Sequence, residues 1–370
     1  MKITKILWLL AVIALVSVLI AYFKSKETVK KETMKIGVIL PLTGDAASYG
    51  KSLQKGIMVA DSLLNDSGID FEIIYEDSKA QPQQAVSAIN KLVSADKVHI
   101  IIGDMFTSTT LAIAPIAENN NILLLSPTGS ANEISKGKKQ VFRIYPSEIE
   151  EGNTLGSFYK EKFPNQKAAI IYANEDAMKN VVSTIKTNLG DTSIVFEAEF
   201  NKGIADFKTI ISSIPKSVNN VFIIGYINDA ALFVKQSKEQ NRNYSLLGIS
   251  TLYDKQFIEL TKNAAIGIYM TSPFFSVKSQ NSNVNKFVAK YMEMYKKEPD
   301  VWAGYGYDAF NIIVKVLADS KSQNIEPYKA MELIKNYDGV TGITTINPDH
   351  SINKQFNIVQ ISKIDFQVIK

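Results

Sequence analysis

No part of the chain restricts its fold more than Val98 to Ser130, VHIIIGDMFTSTTLAIAPIAENNNILLLSPTGS. An apolar run, Val98–Ile102, breaks at Gly103 and enters a loop holding Thr107, Ser108, Thr109 and Thr110. Leu111, Ala114, Ile116 and Ala117 then recur at helical spacing. A second apolar run, Ile122–Leu125, ends in Ser126-Pro127-Thr128-Gly129-Ser130. Strand, loop, helix, strand and loop make one βαβ unit. Its hydroxyls fall beyond the ends of parallel strands, where open α/β sheets hold ligands. Unpaired N–H groups at the helix start favour an anionic group there. The unit reads as a small-molecule site of hydroxyls and amides, with no nucleophile–base pair. A second reading fits the same residues: these Ser and Thr side chains only cap a helix and fill turns.

The same alternation surrounds this unit. Ile36–Leu40 predicts a buried strand closed by Pro41 and the turn Thr43-Gly44-Asp45. Ser48 is placed to cap a helix whose inner face is Leu53, Ile57, Ala60 and Leu64. Phe71–Tyr75 predicts a second strand, and Pro82 opens a helix with Ala85, Ala88, Ile89 and Leu92 inward. After Arg143-Ile144-Tyr145-Pro146 the series restarts, with strands at Ala168–Tyr172, Ile194–Phe196, Val221–Ile224 and Leu246–Gly248. Two α/β series of similar size predict two doubly wound α/β lobes. Three helices beyond Pro273, then tail strands at Gln355–Ile361 and Phe366–Ile369, fit a chain that crosses back to complete both lobes. In those helices Trp302, Tyr305 and Tyr307 read as packing aromatics.

A length of 370 residues exceeds one ordinary domain. The net charge of +4, with lysines interspersed among acids, gives nucleic-acid binding no support. Absence of cysteine excludes disulfides, thiolate metal sites, cysteine catalysis and anchoring through a lipidated cysteine. His99, in an apolar strand, and His350, in a polar turn, are the only histidines, so no metal centre is expected. No catalytic motif or phosphate-cradling glycine pattern occurs, so neither catalytic residues nor a cofactor is predicted. Asp77 and Asp104, at strand ends, are the acids that a hydrolase would need. At the N-terminus, Lys2 and Lys5 precede an apolar run, Ile6–Phe23, long enough to span a bilayer. The run predicts an uncleaved membrane anchor with a polar tether, Lys24–Thr33; a cleaved signal is the alternative.

Five motifs, in order, carry a resemblance: IGVILPLTGDAASYGKSLQKGIMVA (Ile36–Ala60), YEDSKAQPQQAV (Tyr75–Val86), IIGDMFTSTTLAIAPIAE (Ile101–Glu118), LLLSPTGS (Leu123–Ser130) and GYDAFNIIVKVL (Gly306–Leu317). From Lys35 onward the chain resembles type I periplasmic solute-binding proteins of ABC transporters, in the branch that binds leucine, isoleucine and valine. The resemblance implies an N-terminal segment 1–33, a first lobe 34–146 plus 273–342, and a second lobe 147–272 plus 343–370. Three hinges would fall near Tyr145–Ser147, Ile268–Ser272 and Gly342–Thr345. A solute carboxylate would rest on Thr107 and Ser108 and on Thr128 to Ser130, with Tyr49 covering it. In the second lobe Tyr226 keeps an aromatic near the site, whereas Ala177 stands where relatives have one. Ser250 stands where they have the acid that neutralises the ligand ammonium. Glu175, Asp176, Asp229 and Asp254 are the candidates for that missing charge. The family's disulfide is impossible here.

The implied protein is a monomeric, membrane-tethered, extracytoplasmic receptor that delivers a small polar solute to ABC permease subunits. The solute would be an amino acid or a related carboxylate or amide. A ligand-sensing ectodomain serving a separate transducer is the alternative; a hydrolase is the least favoured.

Overall fold

Short runs of Ile, Val and Leu become strands covered on both faces, as parallel sheets require. In the computed structural model, which describes residues 34–65, 71–190, 193–363 and 365–370 together with Trp8, the first sheet is wholly parallel. Its strands are β1 (Met34–Leu40), β2 (Phe71–Asp77), β3 (Ile100–Gly103), β4 (Leu123–Ser126) and β5 (Val141–Arg143), in the order β2-β1-β3-β4-β5. Side chains alternate between two cores. Ile36, Val38, Ile100, Ile102, Leu123 and Leu125 enter one, with α1 (Ala47–Asn65) against them. Ile39, Ile101 and Leu124 enter the other, under α2 (Pro82–Ser94) and α3 (Thr107–Asn119).

The second sheet holds β6 (Ala168–Ala173), β7 (Ile194–Phe200), β8 (Asn220–Ile224), β9 (Ser245–Gly248) and β10 (Tyr269–Pro273). Its helices are α4 (Glu148–Lys162), α5 (Asp176–Leu189), α6 (Lys208–Ser213), α7 (Ile227–Glu239) and α8 (Lys255–Thr261), packed in one further core. The order β7-β6-β8-β9-β10 repeats that of the first sheet. The two α/β series therefore share an architecture as well as a size. Helices α9 (Ser282–Tyr295), α10 (Val301–Gln323) and α11 (Pro327–Glu332) return to the first sheet, where Trp302 and Tyr305 are buried in its core.

The chain then forms a small antiparallel sheet of β11 (Tyr337–Gly339), β12 (Gly342–Ile346) and β13 (Ile352–Asn353). Ile346 and Ile352 join the core of the first sheet, so residues 342–346 stay with that half. The last passage comes later, at residues 354–355, before β14 (Phe356–Ser362) pairs antiparallel with β10 and β15 (Asp365–Val368) closes the edge. A buried polar contact fixes it there. Lys354 lies 4.6 Å over the Tyr305 ring and donates to the Thr341 hydroxyl at 2.7 Å.

Three other sequence expectations shift. His99 is exposed just before β3. Leu111 is exposed because α3 turns Thr109 and Thr110 inward, where Thr110 Oγ1 donates to Asp104 O (3.0 Å) and Phe106 O (2.7 Å). His350 sits in a turn, yet its ring is buried and stacked on Phe142 at 4.2 Å. The run Ile6–Phe23, apart from Trp8, and the tether Lys24–Thr33 lie outside the described residues. Among the described residues no helix is long and apolar enough to cross a membrane.

Candidate functional site

The strand orders put a switch point between β1 and β3 and another between β6 and β8, the crevices where open α/β sheets bind small molecules. Each loop leaving those strands carries polar side chains. Glu175 follows β6, Tyr226 follows β8, and the Tyr226 hydroxyl donates to Glu175 Oε2 at 2.7 Å across the second crevice. Burial, then the nearby Glu175 carboxylate, holds the Tyr226 phenol above its ordinary pKa, so it remains a donor. The Lys202 ammonium lies 4.4 Å over the ring of Tyr226.

At the first sheet the loop before α3 has to pass close to β1. Gly103 makes this possible: its φ is +141° and a Cβ there would sit 2.2 Å from Ile39 O. Beyond it, α3 begins at Thr107 without a side-chain cap. Thr107 Oγ1 and Ser130 Oγ stand 3.5 Å apart, and Ala131 N–H points to Thr107 Oγ1 at 3.4 Å. Ser130 donates to Glu148 Oε1 at 3.0 Å, and Asn180 donates to Glu148 Oε2 at 2.9 Å. This chain of contacts runs from the loop after β4 to α4 and α5 of the second sheet. Burial raises the Glu148 carboxyl above the usual range, against hydrogen bonds from Asn180 and Ser130 that lower it.

Thr107 and Ser130 are thus brought together with Glu148, and Tyr226 with Glu175. Ser108 is exposed in the first turn of α3. Thr128 is buried, and its hydroxyl donates to Met105 O at 2.9 Å, which shapes the loop. Tyr49 packs against the cores of both sheets and meets Trp302 edge-on at 5.7 Å. Ser250 belongs to a buried knot. Its hydroxyl shares a 2.9 Å hydrogen bond with the Tyr145 hydroxyl, and its N–H donates to Glu151 Oε1 at 2.7 Å. The Thr271 hydroxyl donates to the same oxygen at 2.5 Å.

Of the four acids weighed from sequence, Glu175 accepts from the Tyr226 hydroxyl. Asp229 accepts from Gly203 N–H (3.0 Å), Asp254 caps α8 by accepting from Gln256 N–H (2.7 Å), and Asp176 is exposed. Asp77 binds the turn after β1, accepting from Leu42 N–H at 2.8 Å, while burial pushes Asp104 up to about 6. Sequence reasoning missed Glu148 and Glu151. The available signal was SEIEE, where a capping serine precedes acids three apart on one helix face. Among the described residues no group of three or more His, Asp and Glu side chains is placed to hold a metal.

The family model described as periplasmic binding protein matches residues 33–365. A leucine-, isoleucine-, valine-, threonine- and alanine-binding protein of Pseudomonas aeruginosa is 26% identical over 316 residues, 82% of each chain. The isoleucine-bound branched-chain amino acid transporter substrate-binding protein of Streptococcus pneumoniae superposes with a TM-score of 0.83 at 23% identity, covering 91% of this chain and 99% of that one. A solute-binding protein of an ABC transporter from Rhodopseudomonas palustris, in complex with 3,4-dihydroxybenzoic acid, gives 0.78 at 21% identity, covering 91% and 95%. The paired sheets, their common strand order and a match over nearly all of residues 34–370 place this chain in the periplasmic binding protein family.

Proposed function

We propose that this chain is the extracytoplasmic solute-binding component of an ABC importer, closing two lobes on a small polar solute. The solute is an amino acid or a related carboxylate or amide. One observation carries the reading: the chain Thr107–Ser130–Glu148–Asn180 joins hydroxyls at the tip of the first sheet to an acid and an amide of the second. A zwitterion inserted into that chain would take its carboxylate on Thr107, Ser108, Ser130 and the uncapped start of α3. Its ammonium would replace the Ser130 hydroxyl on Glu148, with Glu175 near. Burying either charge without such partners would be costly. Tyr49 and Tyr226 cover the ligand, while Thr128 and Ser250 hold the loops and the passage behind them.

The lobes comprise residues 34–146 with 273–353, and 147–272 with 354–370. Closure is a hinge motion selected by ligand contacts from both sides. Ile6–Phe23 tethers a monomer to the cytoplasmic membrane unless it is cleaved, and permease subunits receive the solute. The family match and the relatives named for amino acids and an aromatic acid support this reading.

The test is thermal melting of the full chain in mild detergent, after unfolding and refolding to strip carried solute. A solute at a hundredfold excess over its Kd adds about 2.7 kcal/mol of stability. One member of a panel of amino acids, amides and small carboxylates should raise the melting temperature, and Ser130→Ala should weaken that response about tenfold. If the whole panel leaves melting unchanged, the binding role is wrong.

A further inference from the structure

We propose that the second sheet carries a further binding site for a small organic anion, a carboxylate with a short apolar tail. A cavity of about 200 Å³ lies between the end of α7, the start of β9 and the segment leading into β10. Strand β9 starts there at Ser245 and runs toward Ser250, and β8, parallel beside it, runs toward Tyr226. The cavity is therefore at the opposite end of the second sheet from the site described above. Its occupancy does not depend on the solute-binding reading.

The lining has two characters. Val234, Leu246 and Ile268 are buried apolar residues, and Ile266 lines the cavity while 49% exposed. The charged lining residues are Lys238 and Arg242, with no acid among the residues that line it. Among the described residues, neither cation takes part in an ion pair. Arg242 is held by neutral acceptors: Nε donates to the Tyr244 hydroxyl at 2.6 Å and Nη2 to Ile214 O at 2.8 Å. Lys238 Nζ donates to Asn243 Oδ1 at 3.0 Å. Both charges are oriented and neither is neutralised.

A solvated basic surface would account for that much, but not for Ser237. This residue lines the cavity at 2% exposure, and its hydroxyl has no hydrogen-bond partner. A buried hydroxyl left unpaired is unfavourable unless a ligand supplies the partner. The carbonyl end of α7 would by itself repel an anion. Here those carbonyls are taken: Gln236, Ser237 and Lys238 accept from the N–H groups of Gln240, Arg242 and Asn241 at 3.1, 2.8 and 3.0 Å. The two cations are left to set the sign of the cavity. A carboxylate would accept from Lys238, Arg242 and the Ser237 hydroxyl, with its tail against Val234, Leu246 and Ile268. An inorganic anion would leave that apolar wall uncovered.

Calorimetric titration of the full chain in mild detergent tests this, with hexanoate, hexanamide and inorganic phosphate as probes. Hexanoate should bind at least about tenfold tighter than either of the others, and equally well to the parent and to Ser130→Ala. Lys238→Gln, at an exposed position, and Arg242→Gln should each weaken hexanoate about tenfold. Ser237→Ala should weaken it as well without lowering the melting temperature, because the hydroxyl bonds no protein group. Hexanamide binding as tightly as hexanoate would overturn the charge assignment, and phosphate binding as tightly would overturn the organic class. Hexanoate affinity that falls in Ser130→Ala and stays unchanged in both Lys238→Gln and Arg242→Gln would place the anion elsewhere and overturn the site. So would the absence of any heat from hexanoate.

Discussion

Asp308, fully buried in α10, ties the last passage between the sheets to the first half of the molecule. Its carboxylate accepts from the N–H groups of Val340 and Thr341, each at 2.8 Å, and from the Thr341 hydroxyl, which in turn accepts from Lys354. Asp308→Asn conserves volume but leaves one oxygen for three donors and turns an amide N–H toward other N–H groups. Breaking a buried charge pair from one side costs about 3–5 kcal/mol, because Lys354 is left uncompensated. A stranded N–H costs about 1–3 kcal/mol, which overlaps with that figure. Taking about 4 kcal/mol in all, and about 2–4 °C per kcal/mol, melting should fall by about 8–16 °C.

Lys354→Met should cost much less, since the aliphatic stem still packs on Tyr305 and Asp308 keeps its three donors. The double variant should lose less than the sum of the single losses, as expected for coupled neighbours. The pair also sets a pH dependence. Burial lowers the Lys354 ammonium from 10.5 to about 8, against the Asp308 charge that raises it. Between those values the unfolded chain holds the proton and the folded chain does not, so stability should rise with pH across that window. Lys354→Met should flatten this rise. Thermal melts across the same window supply both readouts. An Asp308→Asn protein melting within about 2 °C of the parent would refute the reasoning.

Two further substitutions test other parts of the framework. Burial raises Glu151 above its usual 4.5, so its contribution is fully present below that pH and is lost as pH climbs through the folded value. Glu151→Gln keeps an oxygen for Ser250 N–H and Thr271, and should gain melting temperature over the parent as pH rises above 4.5; an offset independent of pH would contradict this. In α1, a Cβ at Gly56 would lie 1.9 Å from Ala303 O, so Gly56→Ala forces α1 from α10 and should cost about 3 kcal/mol or more. Unchanged urea unfolding of that variant would mean that the two helices are not held at such close range.

Local pattern determined a good deal by itself. The runs Ile36–Leu40, Val98–Ile102 and Ile122–Leu125 had to be covered on both faces, and connection through helices made their sheet parallel. That alone put Thr107 and Ser130 beyond adjacent strand ends, and their hydroxyls stand 3.5 Å apart. Apolar period did not decide the facing of α3, where Thr109 and Thr110 turn inward, Thr110 bonding the buried loop, and Leu111 is left exposed. Nor did it decide that Glu148 meets Ser130, that Tyr226 donates to Glu175, or that Ser250 is absorbed by Tyr145 and Glu151. The last passage likewise moved past residues 342–346 to Lys354, whose buried ammonium needed Thr341 and Asp308. Period and connectivity act within a few residues and fix which side of an element faces a core. The partner of a buried charge depends on where a second sheet approaches, and only the packed tertiary structure sets that distance.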